Sequence, residues 1–309
     1  MNNLLRPIEV KHLLGRSLSG AVMPDEVTLG MPHLCMTGLS ETWLLKECGH
    51  RHWSMLAAAA GLAAPDFRDA AGNPIYPAFL SVSIRDAAFD LAREHVRLRF
   101  ISRLARISRT QFMSVHRLAV SGRCIGEMTM TSAFVRRVQK DRNHAMARIE
   151  APALRQIEID PDAAVRAAEI AAMRSSRWHA HLGFERSRAC VIDRFVTDPC
   201  PSQDFNGVDF LYFASYQAFI DRAEWDHFRP QAPFLTTRQR DISHRGNIDP
   251  GERVVLTLLQ FVQEAECLSH WYRLERESDG ASIGEAFTVR SAPKIKVSGP
   301  LGLVSAILV

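Results

Sequence analysis

Residues 203–225 (QDFNGVDFLYFASYQAFIDRAEW) decide how this sequence is interpreted, because a loop-like pattern changes there into a helical one. The first part contains the pair Asn206-Gly207, which is typical of a turn. The second part places apolar side chains three or four residues apart, as on the buried face of a helix. We therefore predict a helix over residues 215–228, with Ser215 as its N-cap.

A second helix of the same kind is predicted over residues 42–60, with Ser40 as its N-cap. Each helix is followed by segments whose alternating and β-branched residues predict strands. These strands are residues 78–87, 96–107, 111–120 and 127–136 in the first half, and 235–243, 253–261, 268–274 and 284–289 in the second. A helix lying across antiparallel strands, present twice, predicts an α+β fold.

The two halves share a short internal repeat. Residues 122–127 (GRCIGE) and 280–285 (GASIGE) both have the pattern GxxIGE, and each follows a strand-like segment that contains an Arg-Leu pair. Their glycines predict tight hairpins between paired strands. Asp160-Pro161 predicts the start of a connecting helix between the halves. The predicted division is residues 1–150, a connecting helix or linker at 151–183, and residues 184–309.

Composition excludes several classes of protein. The chain has 309 residues, of which 47% are hydrophobic and 23% charged, as in soluble globular proteins rather than disordered chains or fibres. The formal net charge of +4 is too small to indicate a nucleic-acid binder. That small excess would still suit an anionic ligand or an acidic protein partner.

Location and covalent chemistry are predicted from the apolar segments and the cysteines. The sequence contains no run of about 18 apolar residues, so no membrane span is predicted. Residues 1–20 also lack the apolar core of a secretory signal. The 6 cysteines form no CxxC pair, which predicts buried thiols in a reducing cytoplasm. The apolar residues 301–309 predict a terminal strand or a contact with a partner subunit.

Metal ligation is not predicted. Two histidine pairs, His50 with His52 and His179 with His181, have neither cysteine nor carboxylate ligands at a suitable spacing nearby.

Residues 203–225 resemble the opening of hot-dog thioesterases, in which an acidic loop and a Tyr-x-x-x-Tyr strand precede a central helix. More closely, the chain resembles the leinamycin-type bifunctional acyltransferase/decarboxylases and related proteins of polyketide biosynthesis clusters, which are double hot-dog proteins. The resemblance rests on residues 30–35, 38–53, 67–79, 204–224 and 240–252. It implies one hot-dog domain in each half and a thioester substrate.

The resemblance implies an enzyme that moves a malonyl- or methylmalonyl-type group from coenzyme A to an acyl carrier protein, with loss of CO2. Coenzyme A would be part of the substrate, and no separate cofactor is implied. Two alternatives stay open. One is a dehydratase or thioesterase acting on acyl chains bound to a carrier protein or coenzyme A. The other is a non-catalytic module that binds carrier proteins. Separately from these functions, two chains could pair as a homodimer through exposed sheet edges.

Candidate site residues follow from this resemblance and from hot-dog geometry. Tyr76 (in GNPIYPAF) is implied to accept or position the acyl group, although a strand tyrosine packed among prolines is the alternative. Backbone N–H groups near Gly38 and Gly207 would stabilise the enolate oxygen, and Ser40 lies in the same N-terminal turn as Gly38.

His33 is predicted to supply a proton, with Glu47 at the spacing of a dehydratase carboxylate. Asn206 falls where the resembled thioesterases have a catalytic aspartate, and it is predicted to bind substrate as a hydrogen-bond donor. Asp204 is the candidate to replace that aspartate. A turn or loop cap is the alternative for both. The basic residues 96–109 predict one wet strand face, with carrier docking or coenzyme A binding as the minor alternative, and Trp43, Trp53, Trp225 and Trp271 are predicted to lie in the core.

Overall fold

The structure is a computed structural model that describes residues 23–139 and 142–293. The predicted terminal strand at residues 301–309 lies outside these ranges. Within them, the helices are α1 (Glu41–Ala59), α2 (Pro161–Arg174), α3 (Pro201–Asp204) and α4 (Phe213–Phe228). The strands are β1 (Met23–Thr28), β2 (Leu34–Cys35), β3 (Gly38–Leu39), β4 (Tyr76–Arg85), β5 (Arg97–Arg106), β6 (Gln111–Val120), β7 (Arg123–Arg137), β8 (Met146–Arg148), β9 (Ala180–His181), β10 (Phe184–Glu185), β11 (Asp193–Thr197), β12 (Thr236–His244), β13 (Val254–Glu264), β14 (Cys267–Arg276) and β15 (Ser282–Ser291).

One large antiparallel sheet runs through both halves of the chain. Its strand order is β1-β5-β6-β7-β4-β12-β15-β14-β13-β11, with β8 paired to β7. The order β5-β6-β7-β4 in the first half matches β13-β14-β15-β12 in the second, and the halves join where β4 pairs with β12. The predicted repetition of one helix and a run of antiparallel strands is therefore confirmed.

The repeated glycines occupy the same place in each half. Gly122 (φ 79°) lies in the turn between β6 and β7, and Gly280 (φ 70°) lies in the turn between β14 and β15. Both backbones are in the left-handed region, where glycine has no steric penalty. The GxxIGE pattern thus marks the corresponding hairpin of each half.

Each long helix packs on its own set of strands through the predicted apolar face. In the first half, Leu44, Leu45 and Cys48 of α1 belong to one buried cluster with side chains from β4 and β7. In the second half, Phe219 and Ile220 of α4 pack with side chains from β12 to β15. This burial of the i, i+3, i+4 face supplies most of the helix stability.

Two predictions about burial are wrong. Trp225 is 47% exposed, because it lies on the outer side of α4, away from the strands. Among the cysteines only Cys48 is buried, whereas Cys267 is half-buried and the other four are exposed. Those four lie in loops or at strand ends, where the alternation of the sheet does not turn them inward.

Helix starts were predicted well where the cap is local. Ser40 caps α1 by accepting a hydrogen bond from the Trp43 amide at 3.3 Å, and Asp160 caps α2 through the amides of Asp162 and Ala163. Ser215 does not cap α4, which begins two residues earlier at Phe213.

Replacing Ser40 by alanine should lower the free energy of unfolding by about 1 kcal/mol, because the first turn of α1 loses its side-chain acceptor. Urea unfolding measures this. Ser54→Ala is the matched control, since Ser54 lies within the same helix and makes no side-chain hydrogen bond with the described residues. Equal stability of Ser40→Ala and wild type would contradict the capping role.

Candidate active site

A cleft of about 890 Å³ lies where the two halves meet. The first half contributes residues 76–80 of β4 and side chains from α1. The second half contributes the loop that leads into α4, the first turn of α4, and residues 244–247 at the end of β12. The ring of Phe213 packs 4.3 Å from that of Phe79 and so joins the halves at this point.

The loop before α4 is fixed by residues of the first half. The Arg137 guanidinium donates to the Val208 carbonyl at 2.8 Å and lies over the Phe210 ring. The Asn143 side chain donates to the carbonyl oxygens of Asp209 and Ile248. Residues of the first half therefore fix the conformation in which this loop of the second half lines the cleft.

The N-terminus of α4 reaches the cleft without a side-chain cap. The Tyr212 amide donates to the Asp204 carbonyl at 2.7 Å, whereas the amides of Phe213 and Ala214 have no acceptor among the described residues. Phe213 lines the cleft. Unpaired amides and the positive end of the helix dipole make this turn suitable for an oxygen that gains negative charge.

His244 is the most distinctive polar group of the cleft. Its Nε2 lies 3.4 Å from the Phe213 carbonyl oxygen, and because a carbonyl only accepts, Nε2 carries the proton. Nδ1 is buried and has no partner among the described residues. Burial lowers the pKa of His244 to about 4, so the ring is neutral near pH 7. The Tyr216 ring packs edge-on against it at 4.7 Å.

The structure brings three predicted site residues to this cleft: Tyr76, Asn206 and Gly207. Tyr76 begins β4, and its half-buried ring contacts Phe210 edge-on at 5.8 Å. Its hydroxyl makes no hydrogen bond with the described residues. The side-chain oxygen Oδ1 of Asn206 accepts from the backbone amides of Val208 and Phe210, as expected for a turn. The side-chain nitrogen Nδ2 has no acceptor among the described residues and remains a donor at the cleft.

Other predicted site residues lie away from the cleft lining. Asp204 is buried, and its carboxylate accepts from the Cys200 amide at 2.8 Å as a loop cap. His33 accepts from the Gly30 amide at 2.8 Å and packs against Trp43. Glu47 pairs with Arg51 on the polar face of α1.

Gly38 and Ser40 precede α1, and a buried charged cluster occupies the N-terminal turn of that helix. Glu41 accepts a hydrogen bond from Thr237 and pairs with the fully buried Arg240 at 3.3 Å. The start of α1 is thus filled by side chains of β12. Of the two related helix starts, the one at α4 is the start that lines the cleft.

The charged side chains that line the cleft are all cationic, and no carboxylate of the described residues lines it. Lys46 and Arg148 are exposed, whereas Arg174 and Arg245 are half-buried. This arrangement suits an anionic molecule.

A cluster of three side chains with metal-ligand atoms lies beside the cleft, although the sequence predicts no metal site. His144, Asp249 and Glu252 have ligand atoms within 4.8 Å of one another. Asp249 accepts from the Asn143 amide at 2.6 Å, and its backbone amide donates to Glu252. The Asp249 and Glu252 carboxylates therefore lie close together because they accept these backbone hydrogen bonds, which fix the loop that contains Asn143. His52, from one of the two histidine pairs in the sequence, is hydrogen-bonded to Ser114 and Ser132.

His244 is the functional candidate that sequence reasoning missed. It lies within residues 240–252, which carried part of the family resemblance, but no motif distinguished it from any other polar residue of a strand.

No helix within the described residues is long and apolar enough to cross a membrane.

The fold is similar to that of acyl thioesterases. The 12:0-ACP thioesterase from Umbellularia californica superposes with a TM-score of 0.57 at 10% identity, covering 90% of this chain and 100% of the other. A structure assigned as an oleoyl thioesterase from Lactobacillus plantarum gives 0.64 at 11% identity, covering 88% and 97%. An acyl-ACP thioesterase from Bacteroides thetaiotaomicron gives 0.57 at 10% identity, covering 87% and 98%.

The sequence matches no protein-family model and no curated protein. The structural similarity nevertheless extends over most of the chain, and it shows that this protein has the hot-dog fold of these thioesterases.

Proposed function

We propose that this protein is a double hot-dog enzyme that hydrolyses acyl thioesters of coenzyme A or of an acyl carrier protein. The observation that carries the proposal is the neutral His244, with an unpartnered Nδ1, in the same cleft as the uncapped N-terminus of α4. The thioesterase fold supports the same substrate class. The chemistry needs no cofactor beyond the thioester itself.

In this mechanism the substrate carbonyl oxygen lies against the amides of Phe213 and Ala214. A water that enters beside the buried Nδ1 of His244 gives its proton to that atom, because it is the ring nitrogen that bears the lone pair. The C–O bond forms, and the amides stabilise the negative charge on the tetrahedral oxygen. The C–S bond then breaks, and the proton held by His244 goes to the thiolate. Asn206 Nδ2 serves as a further donor to the substrate.

Tyr76 supports a second candidate, which is the acyltransferase/decarboxylase implied by the family resemblance. Its hydroxyl lies in the same cleft and has no hydrogen-bond partner among the described residues, so it is available as an acyl acceptor. A phenol has a pKa near 10 and needs activation to react as a nucleophile. Arg68 interacts electrostatically with Tyr76, but among the described residues the Tyr76 hydroxyl has no hydrogen-bonded base to take its proton, which favours hydrolysis over transfer.

Replacing Tyr76 by phenylalanine separates the two reactions. For hydrolysis we expect kcat to stay within about threefold of wild type, since water is the nucleophile, and no acyl adduct to form on either protein. Intact-protein mass spectrometry after incubation with malonyl-, methylmalonyl- and butyryl-coenzyme A measures the adduct, with free thiol release as the parallel assay. An acyl adduct on wild type that is lost in Tyr76→Phe would instead support transfer.

The same incubation with a β-hydroxyacyl carrier protein tests the dehydratase alternative. Loss of water from the acyl chain would support dehydration, whereas release of the free acid supports hydrolysis. No carboxylate of the described residues lines the cleft to assist departure of the hydroxyl group, and this argues for hydrolysis.

A further inference from the structure

Arg174 holds a fixed position inside the cleft. It is the last residue of α2, and its Nε donates to the His244 carbonyl oxygen at 2.8 Å. The guanidinium is half-buried and lines the cleft. The bond through Nε leaves the two terminal nitrogens of Arg174 without an acceptor among the described residues, next to the strand residue that carries the proposed base.

Arg148, Arg174 and Arg245 line this part of the cleft, and among the described residues Arg245 alone of the three has an acidic partner. Arg245 is bound by Glu285 at 2.5 Å and by the Met173 carbonyl at 2.9 Å. Within the described part of the chain, Arg174 and Arg148 have no carboxylate partner, and the charges that act on Arg174 are those of Arg148 and Arg245. Burial, followed by the charges of Arg148 and Arg245, lowers the pKa of Arg174 to about 10. Arg174 nevertheless remains charged at neutral pH.

We propose that Arg174 and Arg148 form an anion subsite, which binds a negatively charged group of the thioester substrate. The half-buried Arg174 and the exposed Arg148 line the same cleft and repel each other, and a carboxylate or phosphate bound between them relieves that repulsion. The guanidinium fork binds either group through two parallel hydrogen bonds. The charged group is an acyl-chain carboxylate or a phosphate of the coenzyme A or carrier arm.

This inference rests on the proposed function, because it names the substrate class of the same cleft. The structure places Arg174 beside His244, and a bound anion there lies close to the reacting carbonyl. The Arg148 side chain is exposed and makes no hydrogen bond or ion pair with the described residues, so its substitution tests the charge while the backbone pairing of β8 with β7 remains.

Four matched thioesters test the subsite: glutaryl and pentanoyl groups, each on coenzyme A and on N-acetylcysteamine. Glutaryl adds a carboxylate and coenzyme A adds phosphates, whereas pentanoyl-N-acetylcysteamine has neither. The variants are Arg174→Gln and Arg148→Gln. Arg188→Gln is the control, because Arg188 is an exposed arginine that pairs with Glu185 outside the cleft.

For Arg174→Gln we expect kcat/KM to fall at least 10-fold on the substrates that carry the recognised charge, and to stay within twofold on pentanoyl-N-acetylcysteamine. Arg148→Gln should show the same pattern with a smaller loss, and Arg188→Gln should match wild type. A loss confined to both glutaryl thioesters identifies the acyl carboxylate, and a loss confined to both coenzyme A thioesters identifies the phosphates. Equal loss on all four substrates, or on none, overturns the subsite.

Binding measurements keep this test separate from the proposed function. If wild type hydrolyses none of the four thioesters, the proposed function fails. The subsite is then judged by isothermal titration with coenzyme A and with glutarate. At least 10-fold weaker binding of one of these probes to Arg174→Gln supports the subsite, and unchanged binding of both overturns it.

Discussion

Replacing His244 by glutamine should lower kcat for thioester hydrolysis about 100-fold or more, while KM changes little. General-base catalysis contributes on the order of 10² to 10⁴ to such reactions, and glutamine cannot take the proton. The amides of α4 and the cleft itself remain, so substrate binding persists. Steady-state kinetics measures both constants, with whichever of the thioesters named above wild type hydrolyses fastest.

His144→Gln is the matched control, because His144 also lines the cleft but is exposed and lies outside the proposed chemistry. It should retain kcat within twofold. The pH profile supplies a second readout. Because burial holds the pKa of His244 at about 4, the wild-type rate should not decline between pH 8 and 5.5. An acid limb near pH 6.5, or a His244→Gln variant with more than a tenth of the wild-type kcat, would contradict the assigned base.

The protein should lose stability steeply on mild acidification. A fully buried chain of side chains runs through the first half in the order Ser132, His52, Ser114, His116, Ser102, with hydrogen bonds of 2.7 to 2.9 Å. Burial lowers the pKa of His52 and of His116 to about 3. Each hydrogen-bonded imidazole is therefore neutral in the folded protein.

The sign of the effect follows from proton uptake. Below about pH 6.5 the unfolded chain binds a proton on each histidine, whereas the folded protein does not until the pH approaches about 3. Falling pH in this window therefore favours the unfolded state, by up to about 1.4 kcal/mol per pH unit for each histidine. Burial raises the pKa of Glu41, and this group acts in the opposite sense.

Urea unfolding between pH 7 and pH 5 measures the slope. His52→Gln should reduce it by up to about 1.4 kcal/mol per pH unit, with the largest difference near pH 5, because one of the titrating groups is gone. His95→Gln should leave it unchanged, since the His95 side chain is 84% exposed. A wild-type stability that is flat over this range would show that these histidines do not carry the predicted linkage.

Most of the fold could be predicted from local sequence pattern. Strand β6 was predicted to the residue, and α1 within one residue at each end. Both contain strong periodicity and end at local signals such as Ser40 or the hairpin glycines. The edge strands β1 (MPDEVT) and β11 (DRFVT) were missed. They are short and polar, and they become strands by pairing with β5 and β13 far along the chain.

The start of α4 was misplaced for a similar reason. The Ser215 hydroxyl donates to the Asp204 carbonyl at 3.1 Å, and the Tyr212 amide donates to the same oxygen. This contact folds the loop back onto the helix start. Sequence spacing alone identifies a serine before an apolar face, but it does not show that the serine is used in another way.

The site was predicted in part. Tyr76, Asn206 and Gly207 line one cleft, which the internal repeat and the loop pattern could place approximately. Sequence could not show which of two similar helix starts opens to solvent. That choice depends on Arg240 of the second half, which fills the start of α1 through its pair with Glu41.

His244 could not be found from sequence for a related reason. His244 is a catalytic candidate because it is buried against the Tyr216 ring and lies beside the Phe213 carbonyl oxygen. Both residues belong to α4, which is far from His244 in sequence. The roles predicted for His33 and for Tyr76 remain predictions, and Tyr76→Phe tests that of Tyr76.

The most direct measurement is a crystal structure with a non-hydrolysable acyl-coenzyme A analogue, in which a methylene replaces the thioester sulfur. We predict that its carbonyl oxygen lies within hydrogen-bond distance of the Phe213 or Ala214 amide, with the His244 ring facing the carbonyl carbon. A carbonyl bound at the start of α1, or anywhere outside the cleft between the two halves, would contradict the account.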